Sequence, residues 1–162
     1  MHLWLPDAEA TVTLGRALAV TRPPAAVVYL AGDLGAGKST LARALLRALG
    51  VHGPIRSPTY TLVERYPLTD AVGGEALHLD LYRIGDPGEL EFLGLEPGEA
   101  TLWLVEWPER GGDRLPPADL RIALGLSGEG REVRLSAPTE AGRAWLDRLA
   151  LVDELHAFLV KG

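Results

Sequence analysis

Eight consecutive residues, Gly32-Asp33-Leu34-Gly35-Ala36-Gly37-Lys38-Ser39, fit the pattern G-x-x-x-x-G-K-S/T, and Thr40 stands directly behind them. Before them, Ala26-Val27-Val28-Tyr29-Leu30 is a short apolar run rich in β-branched residues. After them, Thr40 to Leu49 holds good helix formers, with apolar side chains at Leu41, Ala44, Leu45 and Ala48, until Gly50 supplies a stop. Strand, glycine loop and helix in that order form the setting of a nucleotide phosphate loop. The glycines let successive backbone N–H groups turn inward around a polyphosphate, and the helix N-terminus adds a fixed partial positive charge. The backbone of Asp33, Leu34, Gly35, Ala36, Gly37, Lys38, Ser39 and Thr40 is thus the expected cradle. Lys38 is expected to reach the β- and γ-phosphates, and the Ser39 hydroxyl to be a Mg²⁺ ligand.

Such a loop works between a strand and a helix, and the rest of the chain supplies both. His2 to Leu5 reads as a short strand, and Asp7 caps a helix from Ala8 to Ala19 that Pro23-Pro24 excludes from continuing. Ser57 to Tyr66 alternates and is rich in β-branched and aromatic residues, as does Ala76 to Tyr82, so the pair reads as a hairpin around the loop Pro67 to Gly74. Asp86-Pro87-Gly88-Glu89 starts a short helix that Gly94 ends. Thr101-Leu102-Trp103-Leu104-Val105 reads as a buried strand finishing on Glu106. Leu120 to Leu126 and Arg131 to Ser136 read as a second hairpin, and Thr139 caps a helix expected to run to Val160. Together these predict an α/β fold, a three-layer sandwich of the phosphate-loop NTPase type with a mixed, partly parallel sheet. At 162 residues the chain is expected to form one phosphate-loop ATPase domain over residues 1–162.

Composition narrows the chemistry. Cysteine is absent, which excludes disulfides and thiolate metal sites. Asn and Gln are absent too, so the guanine-reading NKxD motif cannot be written and no Gln can position a hydrolytic water. ATP is therefore favoured over GTP. Twelve prolines, a single Met and arginine far in excess of lysine suit life at high temperature, and a skewed codon composition gives the same bias. The net charge of −6 opposes unaided binding to a nucleic-acid backbone. No stretch is apolar enough to span a bilayer, and Met1 to Asp7 lacks an export signal, so a cytoplasmic protein without a membrane partner is expected.

A phosphate loop needs a carboxylate near the metal, at the carboxyl end of a neighbouring strand. Two acids compete. Asp80 shares one side of its strand with His78 and Tyr82, whereas Glu106 ends the longest apolar run. Spacing does not rank them. Thr59 suits a residue following the γ-phosphate and metal, Arg83 could neutralise transition-state charge, and Trp107 could stack on a base or a partner.

The set Gly32 to Thr40, Ser57 to Thr61, His78 to Arg83 (HxDLYR) and Glu106-Trp107-Pro108-Glu109 (EWPE), in this order, resembles the bacterial TsaE family, also called YjeE. The resemblance covers residues 32 to 110 by motif. It implies the ATPase of the machinery that makes threonylcarbamoyladenosine beside the anticodon of tRNA, with ATP and Mg²⁺ bound at Lys38 and Ser39. It also implies Asp80 as the metal-side acid, Glu106 and Trp107 as contributors to activity, and partners consisting of a TsaD-like transferase with a TsaB-like protein. tRNA is then met only through that complex. We expect Glu106 to orient or activate water, with both acids retained as metal candidates. A small-molecule kinase, with Arg110 and Arg114 as a basic lid, is the alternative, and a nucleotide-dependent binding module without turnover is a third reading.

Overall fold

The computed structural model describes residues 1–95 and 101–162. Its seven strands are β1 (His2–Leu5), β2 (Ala26–Ala31), β3 (Val63–Pro67), β4 (Glu75–Asp80), β5 (Thr101–Glu106), β6 (Leu120–Ser127) and β7 (Gly130–Ser136). They form one sheet in the order β1-β7-β6-β2-β5-β4-β3. β2 pairs in parallel with β5 and β6, and β4 with β5, while β1, β7 and β3 join antiparallel at the edges. The apolar runs predicted as buried strands thus occupy the parallel centre, where both faces are covered.

Three α-helices, α1 (Ala8–Thr21), α2 (Lys38–Ala48) and α3 (Glu140–Ala150), contribute to one large core with alternate residues of the sheet, among them Val28, Leu30, Leu102, Leu104 and Ile122. Gly15 permits the closest approach of α1 and α2, since a Cβ there would press on Ala44. On the other face, Leu77, Leu79, Trp103 and Val105 are covered by Leu81, Ile84, Leu90 and Leu115. This third layer consists of turns and short 3-10 helices, the longest being Pro87–Leu93, capped by Asp86 and ended by Gly94 in the left-handed region.

Three expected boundaries shift, and the first is small: the strand expected to reach Tyr82 ends at Asp80, so Tyr82 lies beyond the strand it was expected to share with His78 and Asp80. The strand expected from Ser57 begins only at Val63, because Ser57 to Leu62 closes on itself: the Leu62 amide donates to Pro58 O (2.8 Å), and the Ser57 and Thr59 hydroxyls bond each other (2.7 Å). Short hydroxyl side chains here compete with the sheet ladder and win. The final helix stops at Ala150 instead of Val160; a 3-10 helix over Asp153–Phe158 follows. The break buries Leu155 and brings Leu159 against Leu3, with the Val160 amide donating to His2 O (3.0 Å). A straight helix would leave that edge of the sheet unprotected.

The end of α1 is pinned to the β3–β4 hairpin by Arg22, whose side chain is fully buried. Its Nη2 donates to Asp70 Oδ1 (2.8 Å) and Gly73 O (2.6 Å), and its Nε to Asp70 Oδ2 (3.1 Å). Burial alone would raise the Asp70 pKa, but the Arg22 hydrogen bonds and charge and the Gly73 amide outweigh it and hold the group below its ordinary value. Arg22→Ala is therefore expected to destabilise the protein by ~3 kcal/mol, the lower end for breaking a buried pair because Asp70 keeps some contact with water. Because the folded pKa is depressed, the contribution of Asp70 is complete above the ordinary carboxylate range and is lost as pH falls through that depressed value. In urea melts, the gap between wild type and Arg22→Ala should narrow below about pH 4. A gap unchanged into strong acid would show that the pair contributes packing and no charge.

Candidate nucleotide site

The glycine loop sits at the carboxyl end of β2 and opens α2, as the parallel sheet requires of a ligand site. Gly32, Gly35 and Gly37 adopt φ values of 148°, 80° and 108°. At Gly32 a side chain would in addition collide with the carbonyl of Leu124. Asp33 and Ala36 serve through the backbone, the Ala36 amide donating to Asp33 O (3.1 Å). Lys38 is buried and its Nζ donates to Gly32 O (2.5 Å) and Asp33 O (2.8 Å), folding the ammonium onto its own loop.

A cavity of about 360 Å³ is lined by Leu34, Gly35, Gly37, Lys38, Ser39, Thr40, Thr59, Asp80, Tyr82, Glu106, Trp107 and Arg131. Thr59, Asp80, Glu106 and Trp107, candidates taken from the sequence outside the loop, are therefore in one place, whereas Arg83, Arg110 and Arg114 do not line it. A second cavity, of about 240 Å³, adjoins it, sharing Gly37, Thr40 and Arg131, and reaches Asp7, Ala8 and Thr11 at the start of α1.

The two acids are neighbours because β4 and β5 run parallel with Asp80 beside Glu106. Their surroundings differ. Glu106 Oε1 accepts from the Ser39 hydroxyl (2.8 Å), and its Oε2 lies 2.6 Å from His78 Nε2. Asp80 ends β4 in a turn, its Oδ1 accepting from the Tyr82 amide (3.0 Å). Burial, reinforced by the charge of Glu106, raises the Asp80 pKa above its ordinary value against the Tyr82 hydrogen bond and the pull of Lys38. Glu106 is thus the acid joined to the loop hydroxyl, and Asp80 the one that ionises against resistance.

Trp107 follows Glu106 with φ 57°, a left-handed conformation that costs a non-glycine residue of order 1–2 kcal/mol. That turn lays its ring over Lys38 Nζ, 4.4 Å from the centroid, and against Tyr82, centroids 5.0 Å apart. Arg110 stacks over Tyr82 (5.6 Å) and Arg83 over Tyr60 (5.3 Å), both outside the cavity lining. Arg114 pairs with Glu91, away from the glycine loop.

Two residues had no assigned role in the sequence. Arg131 arrives from the β6–β7 hairpin, nearly a hundred positions after the loop, and no local pattern distinguishes it from the other arginines. His78 shares the alternation of Asp80, a usable signal, but its contact with Glu106 depends on strand register. The oxygen donors of Ser39, Glu106 and Asp80 suit Mg²⁺, which takes one or two carboxylates and completes its shell with phosphate oxygens and water.

A glycine loop between a parallel strand and a helix, its lysine and hydroxyl facing strand-end carboxylates, defines a phosphate-loop protein of the α/β class. The family model described as "Threonylcarbamoyl adenosine biosynthesis protein TsaE" matches residues 5–133. The chain belongs to the TsaE family. It is 39% identical over 147 residues to the tRNA threonylcarbamoyladenosine biosynthesis protein TsaE of Haemophilus influenzae, covering 86% of this chain and 91% of that one. It is 40% identical over 134 residues to the protein of the same name from Aquifex aeolicus, with coverage of 81% and 92%. Among solved structures, Bacillus subtilis YdiB has the same fold, with a TM-score of 0.73, 24% identity and 93% coverage of both chains. Among the described residues, no helix is long and apolar enough to cross a membrane.

Proposed function

We propose that this protein is a Mg²⁺-dependent ATPase of the cytoplasm whose turnover serves threonylcarbamoyladenosine formation on tRNA, acting on a complex of a TsaD-like transferase and a TsaB-like protein. The observation that carries the reading is the convergence of Lys38, Ser39, Glu106 and Asp80 on one cavity, with Ser39 already bonded to Glu106 at 2.8 Å. The relatives' names supply the pathway.

In this reading the triphosphate lies along the glycine loop and its nucleoside extends past Thr40 into the second cavity, where Arg131 stands between the two. Lys38 exchanges its backbone carbonyl partners for phosphate oxygens. Ser39 and Glu106 would hold Mg²⁺, whose chemistry there would be neutralisation of charge developing on the phosphates. Asp80, with its raised pKa, is suited to accept a proton from the attacking water, so that ATP and water give ADP and phosphate. These assignments exchange the roles that the family resemblance gave the two acids.

Partner dependence is supported by the rim. Leu34 is 65% exposed and Tyr60, next to Thr59, is 84% exposed, both beside an open nucleotide cavity. Exposed apolar groups around a polar site suit a surface that closes on another protein, and that closure would order Thr59 toward the γ-phosphate. With no Gln available, turnover by the protein alone is expected to be slow. The test is phosphate release from ATP with water as the only acceptor, measured for the protein alone, with the TsaB–TsaD pair, and with tRNA added. Stimulation by the pair is expected. An unchanged rate, together with no complex on gel filtration in ATP, would discard the assembly reading and favour a kinase screen.

A further inference from the structure

We propose that His78 is a positioning residue for Glu106: its imidazole locks the carboxylate so that the remaining oxygen faces Ser39 and the metal side of the site is assembled before nucleotide arrives. The proposal rests on the nucleotide reading given above. In the parallel ladder His78 lies beside Leu104, so Glu106 is two residues further along β5 on the same face. Both side chains are 2% exposed. The Nε2–Oε2 separation is 2.6 Å and the Oε1–Ser39 Oγ separation 2.8 Å, so each carboxylate oxygen has its own fixed partner. An ionised carboxylate offers only acceptors, so Nε2 carries the hydrogen.

A packing role does not account for this residue. Among the described residues His78 Nδ1 is buried without a hydrogen-bond partner, a cost that leucine, used at the flanking positions Leu77 and Leu79, would avoid. The imidazole returns a directed N–H where a carboxylate must be aimed, the arrangement by which partners behind a metal ligand set its orientation. Glu106 also lacks any neighbour on its own strand that could donate to Oε2 instead, since Leu104 and Leu102 precede it on that face.

The experiment is calorimetric titration of ATP, with EDTA and then across a Mg²⁺ series, for wild type, His78→Leu and His78→Gln. Glutamine places an amide N–H near the position of Nε2, whereas leucine has no donor. His78→Leu is expected to raise the Mg²⁺ concentration needed for tight binding by about 10–100-fold, with metal-free affinity changed less than about 2-fold. His78→Gln should recover most of that loss. Equal Mg²⁺ dependence in wild type and His78→Leu, or a parallel fall in metal-free affinity, would overturn the positioning role while leaving the nucleotide reading intact. Absence of Mg²⁺-dependent ATP binding in wild type would overturn both. A second measurement needs no variant: in ¹⁵N NMR of the wild type, His78 should show a slowly exchanging hydrogen on Nε2 and a bare Nδ1. The opposite tautomer would refute the proposal even if His78→Leu fails to fold.

Discussion

Lys38→Ala is expected to weaken Mg-ATP binding by at least about 100-fold, the loss appropriate to removing a charge-assisted contact of ~3 kcal/mol from a desolvated site. The side chain is buried, and its ammonium lies 4.4 Å from the Trp107 ring centroid and donates to Gly32 O and Asp33 O of its own loop. Lys38 itself lines an open cavity, from which water can replace the ammonium at those carbonyls. The fold should therefore survive, with a fall in Tm of no more than about 4 °C, as ~1 kcal/mol produces in a domain of this size. Calorimetry with ATP in the presence of Mg²⁺ decides the matter. Wild-type affinity in a folded variant would remove the basis of the nucleotide reading.

The same lysine shows what the sequence makes legible. A phosphate loop is a local device: spacing of Gly32, Gly37, Lys38 and Ser39 determines its shape, and flanking periodicity names the strand and helix that carry it. The buried strands β2 and β5 and the β6–β7 hairpin are similarly local, since apolar runs and Ser127-Gly128-Glu129-Gly130 encode them within a few residues. What eluded the sequence is of two kinds, a local competition for hydrogen bonds and contacts with partners far away. Ser57 to Leu62 has strand composition but lies where hydroxyls find each other before a neighbouring strand does. The segment after Ala150 keeps a helical apolar pattern and is turned aside by the sheet edge at β1. Arg131 and the His78–Glu106 contact exist only once seven strands are in register, which no spacing in one segment announces.

The second large effect separates the two acids. Glu106→Ala should raise the Mg²⁺ requirement for ATP binding by at least about 100-fold, because it removes the one carboxylate joined to Ser39 and leaves His78 Nε2 without its acceptor. Asp80→Asn should change that requirement less than about 10-fold and instead lower phosphate release by about 10²–10⁴-fold, the range for loss of a proton acceptor. Asparagine keeps an oxygen for the Tyr82 amide, so the turn closing β4 is preserved. The folded pKa of Asp80 is raised, so its ionised form costs stability at neutral pH, and that cost disappears as pH falls through the folded value. Asp80→Asn should accordingly melt above wild type at pH 7, with the gap closing as pH falls through the raised folded value toward the ordinary carboxylate range. A protein more stable and less active when one acid is neutralised is the expected trade at a functional site. If Asp80→Asn abolished Mg²⁺-dependent binding while Glu106→Ala retained it, the carboxylate bonded to Ser39 would be structural and the metal side of the site would pass to β4.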